Sequence, residues 1–384
     1  MKTTTATRLE SVKEYYFSKK LREVAGLIQQ GKPILNMGIG SPDLPPHPSI
    51  VEALQEGLSH PKAHMYQSYQ GLPELRHAMT DFYQRNYAVD LDPTSEVLPL
   101  MGSKEGIMHI SMAFLNKGDQ VLIPNPGYPT YSSVTQLVEA QPIFYNLNEE
   151  NEWQPDFDAL EKLDTEKIKL MWINYPHMPT GAKAKQSTYD RLIHWAKKNE
   201  VLLVNDNPYS FILNDSPQSI LSFSGAKDVA LELNSLSKSF NIAGWRVGQL
   251  SGNKTNIQAV LKVKSNMDSG MFYGIQQGAI AALNAPTSWF SELNATYRKR
   301  RAMIETLATS MNTTFDSKSV GLFVWAKLND TSLSAEAYID EILYQKNIFI
   351  TPGTIFGSQG KGYIRFSLCV NEEQIQTAIN RMQG

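Results

Sequence analysis

Residues 234–248 read NSLSKSFNIAGWRVG, and they overlap the end of the apolar run DVALELNSL at 228–236. A short run of this kind, without strict polar alternation, reads as a strand buried on both faces. Lys238 therefore stands just past an inner strand, beside small and hydroxylic residues. Burying an ammonium there is costly, whereas an amine of lowered pKa, or an imine, is cheap. That is what a Schiff-base lysine requires. Arg246 follows eight positions later, and with Ser235, Ser237 and Gly244 it offers hydroxyls and a guanidinium suited to a phosphate. A solvated Ser-Lys turn is the plainer reading of the dipeptide alone; its neighbours weigh against it.

Working outward, six further β-rich runs precede or follow it: EVLPLMG (96–102), DQVLIPN (119–125), QPIFYNL (141–147), IKLMWIN (168–174), VLLVNDN (201–207) and VGQLSGN (247–253). Helical patterns lie between them, such as KEGIMHISMAFLN with Ile107, Ile110 and Phe114, and TYDRLIHWAKKN with Leu192 and Trp195. Seven strands alternating with helices predict an α/β fold whose largely parallel seven-stranded sheet is covered on both faces. From Ser288 the texture changes. A helix of some 25 residues carrying Leu293, Tyr297, Ile304, Leu307 and Met311 is followed by GLFVWAKL, an amphipathic stretch around AEAYIDEILYQ, and the strands IFITPG and GYIRFSL. This predicts a smaller α+β domain. The expected division is 1–45 as an N-terminal arm belonging to the small domain, 46–285 as the large domain and 286–384 as the rest of the small one. The first 30 or so residues read as an amphipathic helix and arm, and the sequence leaves open whether Tyr15, Tyr16 and Phe17 fold over the substrate.

The 384 residues carry 36 Lys and Arg against 38 Asp and Glu, so 36 − 38 = −2, and no overall field draws the chain to nucleic acid or an anionic membrane. Cys369 stands alone, which excludes an intrachain disulfide and suits a reducing compartment. The opening residues lack an apolar h-region, and no run reaches the roughly 18 apolar residues of a membrane span. A cytoplasmic protein is expected.

The pattern S-x-S-K, seven residues, then R resembles the active-site segment of the class I/II aminotransferases. These are pyridoxal-5′-phosphate (PLP) enzymes of fold type I, and the nearest branch is that of LL-diaminopimelate, alanine and aspartate aminotransferases. The resemblance implies that Lys238 forms the internal aldimine, while Arg246, Ser235 and Ser237 belong to the phosphate side of the cofactor site. Other segments agree in order. GSKEG (102–106) ends a strand and opens a helix, whose free N–H groups and dipole favour an anion, and it resembles the family's phosphate-binding turn at Gly102, Ser103 and Lys104. In NPGYPTY (125–131), Tyr128 matches the aromatic that stacks on the pyridine ring. In NDNPYS (205–210), Asp206 matches the carboxylate on the pyridine nitrogen and Tyr209 the donor to the ring hydroxyl; an ionised Asp206 would keep the ring an electron sink. Arg365, in GYIRFSL, matches the arginine that grips the substrate α-carboxylate, and Gly40, in GIGSPD (38–43), the backbone meeting the same group. Tyr66, five residues before Gly71, matches a tyrosine that reaches the neighbouring cofactor, which implies a homodimer. The likeness runs from about residue 35 to 367.

One departure stands out. In NYPHMPTG (174–181) the residue before Pro-Thr-Gly is Met178, where most relatives have an asparagine that donates to the ring oxygen. Asn174, a water or Tyr209 alone is expected to serve that oxygen.

The reaction implied is transfer of an amino group between an amino acid and a 2-oxo acid, with Lys238 as general base. A PLP-dependent carbon–sulfur β-lyase is the alternative on the same constellation, and a catalytically inactive interaction protein a remoter one. KSNMDSGMFYGIQQG (264–278) lacks the arginine used by the aspartate-specific branch, so an amino acid of modest size is the expected substrate. His60 and His64 share a helical metal-ligand spacing, but Pro61 intervenes and no HExxH occurs. No metal is expected, and neither a Walker loop nor a G-x-G-x-x-G fingerprint is present.

Overall fold

A computed structural model describes residues 3–10 and 16–383, with backbone only for Tyr16 and Phe17. Tyr15 and the side chains of Tyr16 and Phe17, whose place over a pocket the sequence leaves open, lie outside the described residues.

The seven apolar runs all become strands of one sheet: β1 (Val97–Leu100), β2 (Gln120–Asn125), β3 (Gln141–Asn146), β4 (Ile168–Ile173), β5 (Leu202–Asp206), β6 (Ala230–Ser235) and β7 (Gly248–Gly252). Their order is β1-β7-β6-β5-β4-β2-β3. Pairing is parallel from β6 through β3, while β7 is antiparallel to both β1 and β6. Only β7 therefore runs against the rest. Continuous apolar runs arise because alternate residues feed two different cores. Leu170, Trp172, Val204, Leu231 and Leu233 enter one core, while Met171, Ile173, Leu203 and Ala230 enter the other. Edge strand β3 is more open, with Phe144 exposed.

The long helix spans Ser288–Ser310, and the smaller sheet follows it: β8 (Thr313–Phe315), β9 (Phe323–Leu328), β10 (Thr351–Pro352) and β11 (Tyr363–Ser367), in the order β10-β11-β9-β8. In addition, Leu35–Asn36 pairs in parallel with Ile348–Phe349. The amphipathic helix expected near the N-terminus spans Tyr16–Gln29, and its Val24 packs on Leu343 and Phe349. Among the described residues, no helix is long and apolar enough to cross a membrane.

Strands β1, β2, β4, β5 and β6 end on the same edge of the large sheet, and β7 begins there. Ligands of open α/β sheets bind at such an edge.

Candidate active site

A cavity of about 280 Å³ opens at this edge. Each strand end delivers a side chain or a turn to it. After β1 come Ser103 and Lys104, at the start of helix Ser103–Phe114; after β2, Tyr128; after β4, Asn174 and Met178; after β5, Asp206 and Tyr209; at the end of β6 and just beyond, Ser235, Ser237 and Lys238. Arg246 enters just before β7, in the left-handed region at φ 59°, while Gly40 and Arg365 close the side nearest the small sheet. Gly102 sits at φ 91°, and a Cβ added there would lie 2.0 Å from Arg246 Nη2, so only glycine admits the guanidinium this close to the turn. Of the site residues expected from sequence, Gly102 and Tyr66 do not line the cavity: Gly102 packs against Arg246, while Tyr66 is 90% exposed.

Lys238 Nζ donates to the Gly40 carbonyl at 2.7 Å. Burial lowers its pKa, and the charges of Arg365 and Arg246 push the same way. The thiol of Cys369 would oppose this only as a thiolate, but burial pushes that thiol up to about 11, so it is neutral near pH 7. The lysine is thus biased toward the free amine.

Asp206 is buried at the tip of β5, and burial raises its pKa to about 6. Its Oδ2 accepts a 2.7 Å hydrogen bond from the Tyr131 hydroxyl. Its Oδ1 is buried with no hydrogen-bond partner among the described residues. Such an atom calls for a donor, and a protonated ring nitrogen is one. Asn174 lines the cavity while its amide braces the turn: Oδ1 accepts from the Met178 N–H at 2.8 Å and Nδ2 donates to the Asp206 carbonyl at 2.5 Å. One N–H of that amide remains for a ligand.

Arg365 lies between two aromatic faces, its guanidinium carbon 3.9 Å from the centre of Phe323 and 4.6 Å from that of Phe356. Nη2 donates to the Gly38 carbonyl at 2.9 Å, and Nη1 meets Met178 Sδ at 3.5 Å. These contacts fix a planar fork at the cavity wall. Gly40 permits the arrangement, since a Cβ there would lie 2.4 Å from Phe323 Cζ.

Tyr131, Phe323 and Phe356 were not singled out from sequence, although NPGYPTY and GLFVWAKL contain two of them. His177 also went unremarked. It is neutral, because burial drives its pKa down to about 3, and its ring joins Thr180 Oγ1 (2.8 Å) to the Pro126 carbonyl (3.1 Å). The two loops bearing Tyr128 and Met178 are thereby tied together. His60 and His64, weighed as metal ligands, instead stack on Tyr273 and Phe272.

Residues 32–382 match the family model for aminotransferase class I and II. The chain belongs to this family. LL-diaminopimelate aminotransferase of Aquifex aeolicus is 39% identical over 379 residues, covering 98% of both chains. That of Oleidesulfovibrio alaskensis is 38% identical, covering 99% of this chain and 98% of its own. Among solved structures, substrate-bound BacF from Bacillus subtilis superposes with a TM-score of 0.95 at 35% identity, over 100% of this chain and 98% of the other. An aminotransferase from Staphylococcus aureus gives 0.90 at 31%, over 98% of each. The fold is that of the fold-type I PLP aminotransferases, and with it come the family's general activity and its cofactor class. The residues present suit that cofactor. The unpartnered Asp206 Oδ1, the Gly102–Arg246 cradle and the buried amine of Lys238 each match a different part of it.

Proposed function

We propose that this chain transfers amino groups between an L-amino acid of modest size and a 2-oxo acid in two exchanging half-reactions, using PLP attached at Lys238. The observation that carries this reading is one cavity holding a lysine biased toward the free amine, a buried carboxylate with an unused oxygen and a fixed arginine fork. PLP supplies an electron sink for the bond broken at the substrate α-carbon. Asp206 would hold the ring nitrogen and Tyr209 the ring oxygen; Tyr128 would cover the ring face. Ser103, Lys104, Ser235, Ser237 and Arg246, with the backbone of Gly102, would hold the phosphate at the helix N-terminus. Arg365 would take the α-carboxylate beside Gly40, and Lys238 Nζ, once displaced, would remove and return the α-proton. The wall around Arg365 is built of Phe323, Phe356 and Met178, which suits an uncharged side chain.

The same reading takes 46–285 as the cofactor-holding domain and joins 1–45 to 286–384, supported by the pairing of Leu35–Asn36 with Ile348–Phe349. It also takes the active form to be a homodimer in the cytoplasm, with Tyr66 serving the partner's cofactor. Exposed Met65, Tyr66, Tyr69, Met267 and Phe272 support this, because large apolar groups gathered along two neighbouring segments mark an interface.

The test is a panel of L-amino acids, LL-diaminopimelate included, offered to PLP-loaded protein with 2-oxoglutarate. Glutamate and the donor's oxo acid should form in equal amounts, fastest for uncharged donors. Release of pyruvate or ammonia without any acceptor would instead make the protein a lyase, and activity confined to aspartate would overturn the substrate class.

A further inference from the structure

We propose that Tyr131 is a positioning residue for the cofactor: its phenol holds Asp206 ionised and turned so that Oδ1 faces the ring nitrogen. This rests on the functional reading above and goes beyond it, since Tyr131 has no part in the set of residues assigned to the cofactor there.

Tyr131 lies in helix Thr130–Leu137, after β2, whereas Asp206 ends β5, with β4 between those two strands. The two side chains meet through a 2.7 Å hydrogen bond in which the phenol donates to Oδ2. Both line the cavity. The phenol ring is itself immobilised. It stacks on Trp172 with centroids 4.9 Å apart and planes 6° from parallel, and meets Tyr128 edge-to-face at 5.6 Å. The hydroxyl therefore cannot swing to another partner without breaking a packed aromatic stack.

The two oxygens of Asp206 thus have separate tasks, one saturated by a fixed neutral donor and the other left for a ligand. Without the phenol, burial alone would favour the protonated carboxyl, which is a poor partner for a protonated nitrogen. The Tyr131 hydrogen bond opposes that tendency; the phenols of Tyr128 and Tyr209 lie close to the pair, and Lys238 and Arg365 share the cavity with it. A hydrogen bond to a charged group sets the scale of the effect.

Tyr131→Phe keeps the ring and removes only the donor. In the full-length protein it should weaken PLP binding roughly ten- to a hundredfold. With ¹⁵N-labelled PLP, the ring-nitrogen resonance should move toward its unprotonated position relative to wild type. A difluorotyrosine at 131, which preserves the packing and strengthens the donor, should move it the other way, and this arm decides the matter if the phenylalanine variant folds poorly. A merely structural tyrosine would lower stability while leaving that resonance in place. PLP binding and a nitrogen signal unchanged in both variants, alongside a wild type that binds PLP, would overturn the Tyr131 role alone. Failure of the wild type to bind PLP would remove the functional reading as well.

Discussion

At position 178 a thioether joins Phe323 and Phe356 in the wall around Arg365, and its sulfur rests against Arg365 Nη1. A thioether donates nothing, so the ring oxygen of PLP would rely on Tyr209 or the remaining N–H of Asn174. Met178→Asn should lower the pKa read from the visible band of the PLP-loaded protein, and an unshifted titration would show that the oxygen is already served. Asp206 carries a second expectation. Its folded pKa, about 6, lies above the model-peptide value of 3.8, so the folded state holds the proton more tightly. The cofactor-free protein should then be most stabilised by this group below pH 4 and lose that contribution as pH rises to 6. About 2 pKa units correspond to roughly 3 kcal/mol. Urea unfolding of wild type minus Asp206→Asn isolates the slope; equal pH dependence of the two would contradict it. The sequence exposed Lys238 and Asp206 because a charge just past an apolar run is anomalous. Tyr131 gave no such signal, since its partner lies 75 residues away on a strand whose position depends on sheet order.

Among the elements, the strands were readable because two-sided burial leaves apolar runs that no other structure explains. The reversal of β7 was not, since a buried strand has the same composition in either direction. That reversal nevertheless shapes the site. It brings Arg246 to the cavity edge and lays Gly248 against the Gly102–Ser103 turn, where a Cβ would fall 2.6 Å from Ser103 N and 2.8 Å from Gly102 C. Those are backbone atoms and cannot step aside. Gly248→Ala should cost about 1–3 kcal/mol of stability by overpacking and weaken PLP binding by moving the turn. Gly244→Ala is the control, because nothing lies within 4 Å of its added Cβ. Urea midpoints and equilibrium dialysis of PLP check both; equal behaviour of the two variants would show that the close approach is unimportant.

Across the whole molecule, the long helix Ser288–Ser310 is tied to the loop that carries Gly40. Arg300 forks onto Asp43 at 2.7 and 2.9 Å and also reaches Glu372 and the Leu368 carbonyl. Arg300→Ala should destabilise the chain by about 2–3 kcal/mol, below the range for a fully buried pair because Asp43 keeps some contact with water. It should also raise the substrate KM by loosening Gly40 relative to Lys238, and steady-state kinetics with a denaturation curve separate the two effects. The GIGSPD loop was legible as a motif, but its anchor was not, because a separation of 257 positions between Asp43 and Arg300 leaves no local pattern. The central claim, that Lys238 is where PLP attaches, is tested most directly by reducing PLP-loaded protein with borohydride and mapping the peptides by mass spectrometry. The expected result is one pyridoxyl group, on the peptide containing Lys238. A label on another lysine such as Lys104, or no label at all, would contradict it.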